Sequence, residues 1–250
     1  MKLVLAEPRL LKESVSIISD LVNEVTFKAD SDKIELTAMD PANVAMVMFK
    51  ILSSAFVDYK VEKPVSFSVN LDNLDQILKR AKPTDTINME LDSKNNKLKV
   101  QIKGESNKTF NLSLIDIDES EQKVPDLKFN VKAEVPSQIF SESVEDMDIV
   151  AESVAIVAEA NKLSISSEGR FNAAKVEIPG GGDSAVISVG KKDKVVSKYS
   201  IEYLKKIVKG SKLADVAVIQ FSDEYPLRVD YKVMDKLLLS FILAPRVDSD

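Results

Sequence analysis

The sequence predicts an α+β protein made of two similar domains, each of antiparallel strands with two helices. Three observations carry this expectation. Segments from the two halves of the 250-residue chain match at an offset of about 130 residues. Most of each half alternates apolar and polar residues with a period of two, as half-buried strands of antiparallel sheets do. Between the strands, each half holds two amphipathic stretches with helical spacing, few enough to cover one face of a sheet.

The repeat is visible in three segments. "VNLDNLDQILKRAKPTDTINMEL" (69–91) lies over "YSIEYLKKIVKGSKLADVAVIQF" (199–221) without a gap, matching Leu71 with Ile201, Leu74 with Leu204, Ile77 with Ile207 and Asp85 with Asp215. "KLKV" (97–100) matches "PLRV" (226–229), and "SDKIELTAMD" (31–40) matches "ANKLSISSEG" (160–169), both at an offset of 129. The apolar pattern survives where identities do not, as two copies of one core require. The first copy covers 1–115 and the second 129–250, with a connecting loop at 116–128.

"KLVLA" (2–6) reads as a strand and "EPRLLKESVSIISDLVNE" (7–24) as an amphipathic helix, apolar at 10, 11, 15, 17, 18, 21 and 22, with Pro8 tolerated in its first turn. "VTFKA" (25–29), "KIELTAM" (33–39) and "VAMVMFKI" (44–51) follow as strands, the last two separated by the turn "DPAN". "VSFSVNL" (65–71) opens a second round: a helix at 72–82, then the strands "TINMEL", "KLKVQIKG" and "KTFNLSLI". In the second copy the helices fall at 137–148 and 201–212. Between the copies, "IDIDESEQKVPDLKF" (115–129) carries five acids against two lysines, and its Pro125 stops regular structure. "PGGGDS" (179–184) precedes a strand-like "AVISV" and has no GK[ST], so it reads as a hairpin connection and not a phosphate loop.

Composition narrows the chemistry. Hydrophobic residues make up 44% and charged residues 30%, which predicts a soluble, core-forming protein. No apolar run reaches the roughly 18 residues that span a bilayer, and the beginning "MKLVLAEPRLLKES" lacks signal-peptide features. The absence of cysteine excludes disulfides, thiol nucleophiles and zinc–cysteine sites. The absence of histidine removes the commonest metal ligand and general base. Carboxylate chemistry remains: Asp116 and Asp118 alternate in "LIDIDESE" and could flank a hard cation such as magnesium in a hydrolase. The net charge is -6, yet residues 1–115 are balanced with 16 acidic and 16 basic groups. Against that acidity, "IEYLKKIVKGSK" (201–212) places Lys205, Lys209 and Lys212 on one helical face, away from the stripe of Ile201, Leu204, Ile207 and Val208. Lysines at a helix C-terminus also complement the macrodipole, by about 0.3–1 kcal/mol, and Gly210 reads as the stop that places them there.

The stretches "LTAMDPANVAMV" (36–47), "VNLDNLDQILKRA" (69–81), "LIDID" (114–118), "EYPLRVDYKV" (224–233) and "LLSFILAPRV" (238–247), in that order across the chain, resemble the proliferating cell nuclear antigen family of DNA sliding clamps. "AMDPANV" and the lack of Cys and His resemble its archaeal members more than its eukaryotic ones. The resemblance implies the DNA clamp fold: two-domain subunits closing into a trimeric ring, with helices lining a channel and sheets outside. It implies a non-enzymatic processivity factor that encircles duplex DNA without reading sequence. Its implied partners are DNA polymerase, flap endonuclease, DNA ligase and the clamp loader replication factor C, bound through client peptides. No cofactor, metal or membrane is implied. The implied location is the archaeal cytoplasm on chromosomal DNA, or the nucleus in a eukaryote. Three identical subunits and a mixed ring both fit, as does a diverged scaffold of this fold that holds no DNA.

The resemblance also places sites. DNA contacts fall on Lys12, Lys79, Lys205, Lys206, Lys209 and Lys212, by phosphate attraction without base readout. The client-peptide pocket falls on Met39, Val44 and Met46, on Val124 and Pro125 of the loop, and on Pro226, Ile242, Leu243, Ala244, Pro245 and Arg246. Met39, Val44 and Met46 also suit ordinary core strands. Subunits are expected to join through Lys108 and Phe110 on one strand and Ala174, Val176 and Ile178 on another. Arg80, Lys82 and Lys108 would face Glu142 and Asp146 of the acidic third helix, and Arg80 and Lys82 would otherwise serve DNA.

Overall fold

The computed structural model describes residues 1–117, 122–181, 185–190 and 192–246. The chain divides into two compact units that take short segments from each other's stretch of sequence: Val233–Leu239 belongs to the first unit and Ala42–Met46 to the second.

The first unit contains β1 (Lys2–Leu5), α1 (Arg9–Ser19), β2 (Glu24–Ala29), β3 (Lys33–Met39), most of β4 (Ala45–Leu52), β5 (Asp58–Lys60), β6 (Val65–Asn70), α2 (Leu71–Leu78), β7 (Thr86–Asp92), β8 (Lys97–Lys103) and β9 (Asn107–Ser113). Its strands run in the orders β5-β1-β7-β8-β9 and β4-β3-β2-β6. The helices pack against each other and turn inward the apolar stripes that the spacing predicts: Leu10, Leu11, Val15, Ile17 and Ile18 from α1, Leu71, Leu74 and Leu78 from α2. Asn70 caps α2 by accepting a 3.0 Å hydrogen bond from the Asn73 N–H. In the "DPAN" turn, Asn43 sits at φ 58°, a left-handed position that asparagine tolerates better than most residues.

The second unit contains β10 (Val131–Pro136), α3 (Ser137–Asp148), β11 (Ser153–Glu159), β12 (Lys162–Glu168), β13 (Ala173–Pro179), β14 (Val186–Val189), β15 (Lys194–Ser200), α4 (Ile201–Ile207), β16 (Val216–Phe221), β17 (Leu227–Val233) and the end of β18 (Leu237–Leu243). The orders β14-β10-β16-β17-β18 and β13-β12-β11-β15 reproduce those of the first unit strand for strand. The repeat in the sequence is thus a repeat of topology. No helix among the described residues is long and apolar enough to cross a membrane.

Three helix ends differ from the sequence expectation. The helix predicted over 7–24 ends at Ser19: the N–H groups of Leu21 and Val22 both donate to Ile18 C=O and close a turn, so their burial comes from the turn and not from helical phase. The helix predicted over 72–82 ends at Leu78, and Arg80 and Ala81 follow in bonds to Ile77 and Leu78. The stretch 201–212 is α-helical only to Ile207 and continues as a 3₁₀ helix over Val208–Lys212. Gly210 is not a left-handed stop there. It is buried against the Tyr231 ring, where an added Cβ would lie 2.3 Å from two ring carbons. Gly210→Ala is therefore expected to lower stability by about 1–3 kcal/mol through overpacking, read as a shift in the denaturant midpoint at unchanged m-value.

Candidate nucleic-acid interface

In the second unit, α3 and α4 frame a groove of about 1000 Å³. Leu204 and Ile207 are fully buried, which turns Lys205 and Lys209 outward. In the 3₁₀ turn, residues three apart eclipse, so Lys209 and Lys212 stay on one side despite the change of helix type. Lys205, Lys206 and Lys209 all line the groove. Lys205 Nζ donates to Asp148 Oδ2 of α3 at 2.6 Å. Lys206 Nζ lies 3.5 Å from Glu202 Oε1 and 5.3 Å from the Tyr203 ring centre. Arg246, expected in the client pocket, also lines this groove. Its backbone N–H donates to Lys198 C=O at 2.7 Å, which carries the segment after β18 alongside β15. Its guanidinium then donates to Glu152 C=O at 3.3 Å.

The related lysines of the first unit are held more tightly. Lys79 Nζ lies 2.5 Å from Asp75 Oδ2, one turn earlier on α2, and Asp75 is buried. That carboxylate bond, with Asp20 and Glu13 nearby, holds the Lys79 ammonium above its usual pKa. Lys12 is half-buried and its ammonium donates to Ala81 C=O at 3.2 Å, so it ties α1 to the end of α2. Arg80 and Lys82 are exposed, and Lys82 Nζ lies 2.5 Å from Glu105. Lys108 Nζ donates to Arg80 C=O at 3.2 Å, which brings three of the expected interface cations to the β9 side of the unit.

The strand edges differ in a way that the repeat makes legible. Among the described residues, β9 and β13 each have one hydrogen-bonded neighbour strand, β8 and β12. Both show the same half-open burial: Lys108, Phe110, Ala174 and Val176 are partly covered, while only Leu112 and Ile178 are buried. Their repeat counterparts β18 and β4 are engaged. Leu52 N–H donates to Lys236 C=O at 2.8 Å in the first unit, and Ala244 N–H donates to Val44 C=O at 2.9 Å in the second. On the outer row, Lys175 and Lys162 flank Glu177 at 2.6 and 2.9 Å and hold its carboxyl down at about 2. α3 packs beside β12 and β13, with Glu142 and Asp146 exposed. Glu142 accepts from Gln138 Nε2 at 3.0 Å.

Of the expected pocket residues, Met46, Ile242 and Leu243 pack in the core, at 4%, 7% and 0% exposure. They lie in continuous buried runs, Ala45–Val47 of β4 and Leu239–Leu243 of β18, where neither face of the strand is exposed. Val44, Pro226, Ala244 and Pro245 are half-buried, and Val124 and Pro125 are exposed. Met39 ends β3, half-buried. Beside Pro226, Phe129 meets Tyr225 edge-on at 6.0 Å, and Tyr225 C=O accepts from Tyr199 Oη at 2.8 Å. Sequence reasoning misses this aromatic cluster; two aromatics flanking prolines in "VPDLKF" and "EYPL" are its signal. Asp116 is exposed, Asp118 lies outside the described residues, and no group of three His, Cys, Asp or Glu among the described residues could hold a metal ion. Half of "PGGGDS" also lies outside them; Gly181 pairs with Ala185 across it.

Comparison with known proteins agrees with this architecture. The family model for the N-terminal domain of proliferating cell nuclear antigen matches residues 1–122, and that for the C-terminal domain matches residues 123–246. A DNA polymerase sliding clamp of Nanoarchaeum equitans is 36% identical over 250 residues, covering 99% of this chain and 100% of the relative. One from Pyrococcus furiosus is 32% identical, covering 94% of this chain and 93% of the relative. The crystal structure of proliferating cell nuclear antigen from Thermococcus kodakaraensis superimposes with a TM-score of 0.91 at 27% identity, covering 98% of this chain and 99% of that one.

Proposed function

The chain belongs to the proliferating cell nuclear antigen family and is a DNA sliding clamp, and from that premise we propose that three copies close into a ring around duplex DNA. The observation that carries the ring is the pair of open edges. Among the described residues, β9 and β13 each stand at the end of their sheet. Joining β9 of one copy to β13 of the next would give each strand a second hydrogen-bonded neighbour beside β8 and β12. It also removes two edges that would otherwise invite uncontrolled pairing. Such a head-to-tail contact must close into a ring or run on as a filament. Arg80, Lys82 and Lys108 on the β9 side then meet Glu142 and Asp146 beside β13, adding a network of surface ion pairs.

The groove lysines and Lys79 supply a weak, sequence-independent hold on phosphates, as a sliding protein needs. Lys12 serves helix packing more than DNA, since its ammonium is already used. The clamp catalyses no reaction itself. It tethers a polymerase, a flap endonuclease and a ligase, and a loader opens it. Their client peptides dock on the surface around Val44, Val124, Pro125, Pro226, Ala244 and Pro245. Both relatives named above are archaeal, which supports a place on the chromosome in a cell without a nucleus. Light scattering tests the ring: a mass of about 83 kDa, three times the 27.6 kDa chain, is expected, and a mass of 27.6 kDa at micromolar concentration contradicts self-assembly.

A further inference from the structure

Carboxylates lie beside three of the cations that line the groove: Asp148 beside Lys205, Glu202 beside Lys206, and Glu152 at 3.9 Å from Arg246. The Lys205–Asp148 pair differs from the others. Lys206 and Glu202 lie one turn apart on a single helix, whereas Asp148 reaches Lys205 from a different helix, 57 residues away in sequence. The pair is short at 2.6 Å, and its side chains are 47% and 42% exposed, so it is open to exchange with an incoming phosphate. In the repeat-related helix α2, Asp75 holds Lys79 at 2.5 Å. A carboxylate thus occupies a DNA-facing lysine in each unit, drawn from a neighbouring helix in one and from the same helix in the other.

Resting on the clamp reading, we propose that Asp148 is a positioning residue that draws Lys205 onto α3 and so weakens the clamp's grip on DNA. A lysine already bonded to a carboxylate must exchange one anion for another to reach a phosphate. The exchange gains little energy, and Lys205 then adds little to the counterion release that drives binding. The grip stays loose enough for sliding without removing the positive charge that keeps the duplex centred.

Asp148→Asn keeps the shape of the side chain and removes its charge. Binding of a fluorescent linear duplex to the full-length chain, followed by anisotropy across a salt series, is expected to tighten about threefold per subunit at low salt, within the range of an exposed ion pair. The slope of log K against log salt should steepen by about 0.9 for each further phosphate that the variant neutralises. In a Lys205→Gln background the same substitution should change neither value, because a general effect of net charge would persist there and an effect through Lys205 would not. Unchanged or weaker binding of Asp148→Asn overturns the proposal while leaving the clamp reading standing, provided the wild type binds with a salt-dependent affinity. So does equal tightening in the Lys205→Gln background. A wild type with no salt-dependent binding overturns both. A thermal melt of each variant confirms the fold, and Asp148→Ser supplies a second uncharged side chain that must give the same result.

Discussion

Replacing Phe110 and Val176 by aspartate is expected to reduce the assembly from about 83 kDa to the 27.6 kDa of one chain, with the circular dichroism of the fold retained. Both side chains sit on edge strands and are only partly covered within the chain, so neither change opens a cavity in the core. At the joint between copies they would be covered. An apolar anchor at the centre of an interface is worth about 2 kcal/mol or more, roughly thirtyfold in affinity, and a buried unpaired carboxylate adds its own penalty. The ring has the same joint three times, so one substitution acts at every joint. Buried neighbours give the control: Leu112 and Ile178 lie two residues along, at 8% and 2% exposure, and their replacement should unfold the chain before it separates the subunits. If the double variant keeps the full mass at low concentration, the ring is not joined through β9 and β13.

Reversing Lys205, Lys206 and Lys209 to glutamate should abolish stimulation of a polymerase on primed circular DNA. Three attractive charges become three repulsive ones on the same helix, next to Asp148, Glu202 and Glu145. Every phosphate that is no longer neutralised should flatten the salt slope by about 0.9, so the variant should bind DNA more weakly and with a flatter salt dependence. The mass of the ring should not change, since none of the three residues lies on β9 or β13. Stimulation that survives the triple reversal would contradict the placement of these lysines against DNA.

Much of this is legible in the sequence, and what is not has a physical reason. The repeat can be seen because both copies bury the same strand faces, and the alternation in "KLKV" and "PLRV" records that burial directly. The spacing predicts α3 over 137–148 and the helix spans Ser137–Asp148, because its apolar stripe ends where the helix does. The same spacing overextends α1, because Leu21 and Val22 are buried by a turn that happens to continue the helical phase. The role of Gly210 depends on Tyr231, more than twenty residues away, and no local pattern records that approach. For the site, the i, i+4 spacing of Asp75 and Lys79 announces their pair, whereas Asp148 and Lys205 meet only through the packing of α3 on α4. Pocket positions split for the same reason. The unbroken apolar runs "AMV" and "FIL" mark Met46, Ile242 and Leu243 as buried whichever face they point to, but nothing local shows that Arg246 reaches Glu152.

The central claim is encirclement, and topology tests it without reference to affinity. The chain, placed by a clamp loader on a nicked circular duplex and separated from free protein by gel filtration, should elute with the circle. Cutting that circle once with a restriction enzyme should release it, because a ring that holds DNA only by surrounding it slides off a free end. Retention on the linear product equal to that on the circle, or no retention on either, would contradict the account.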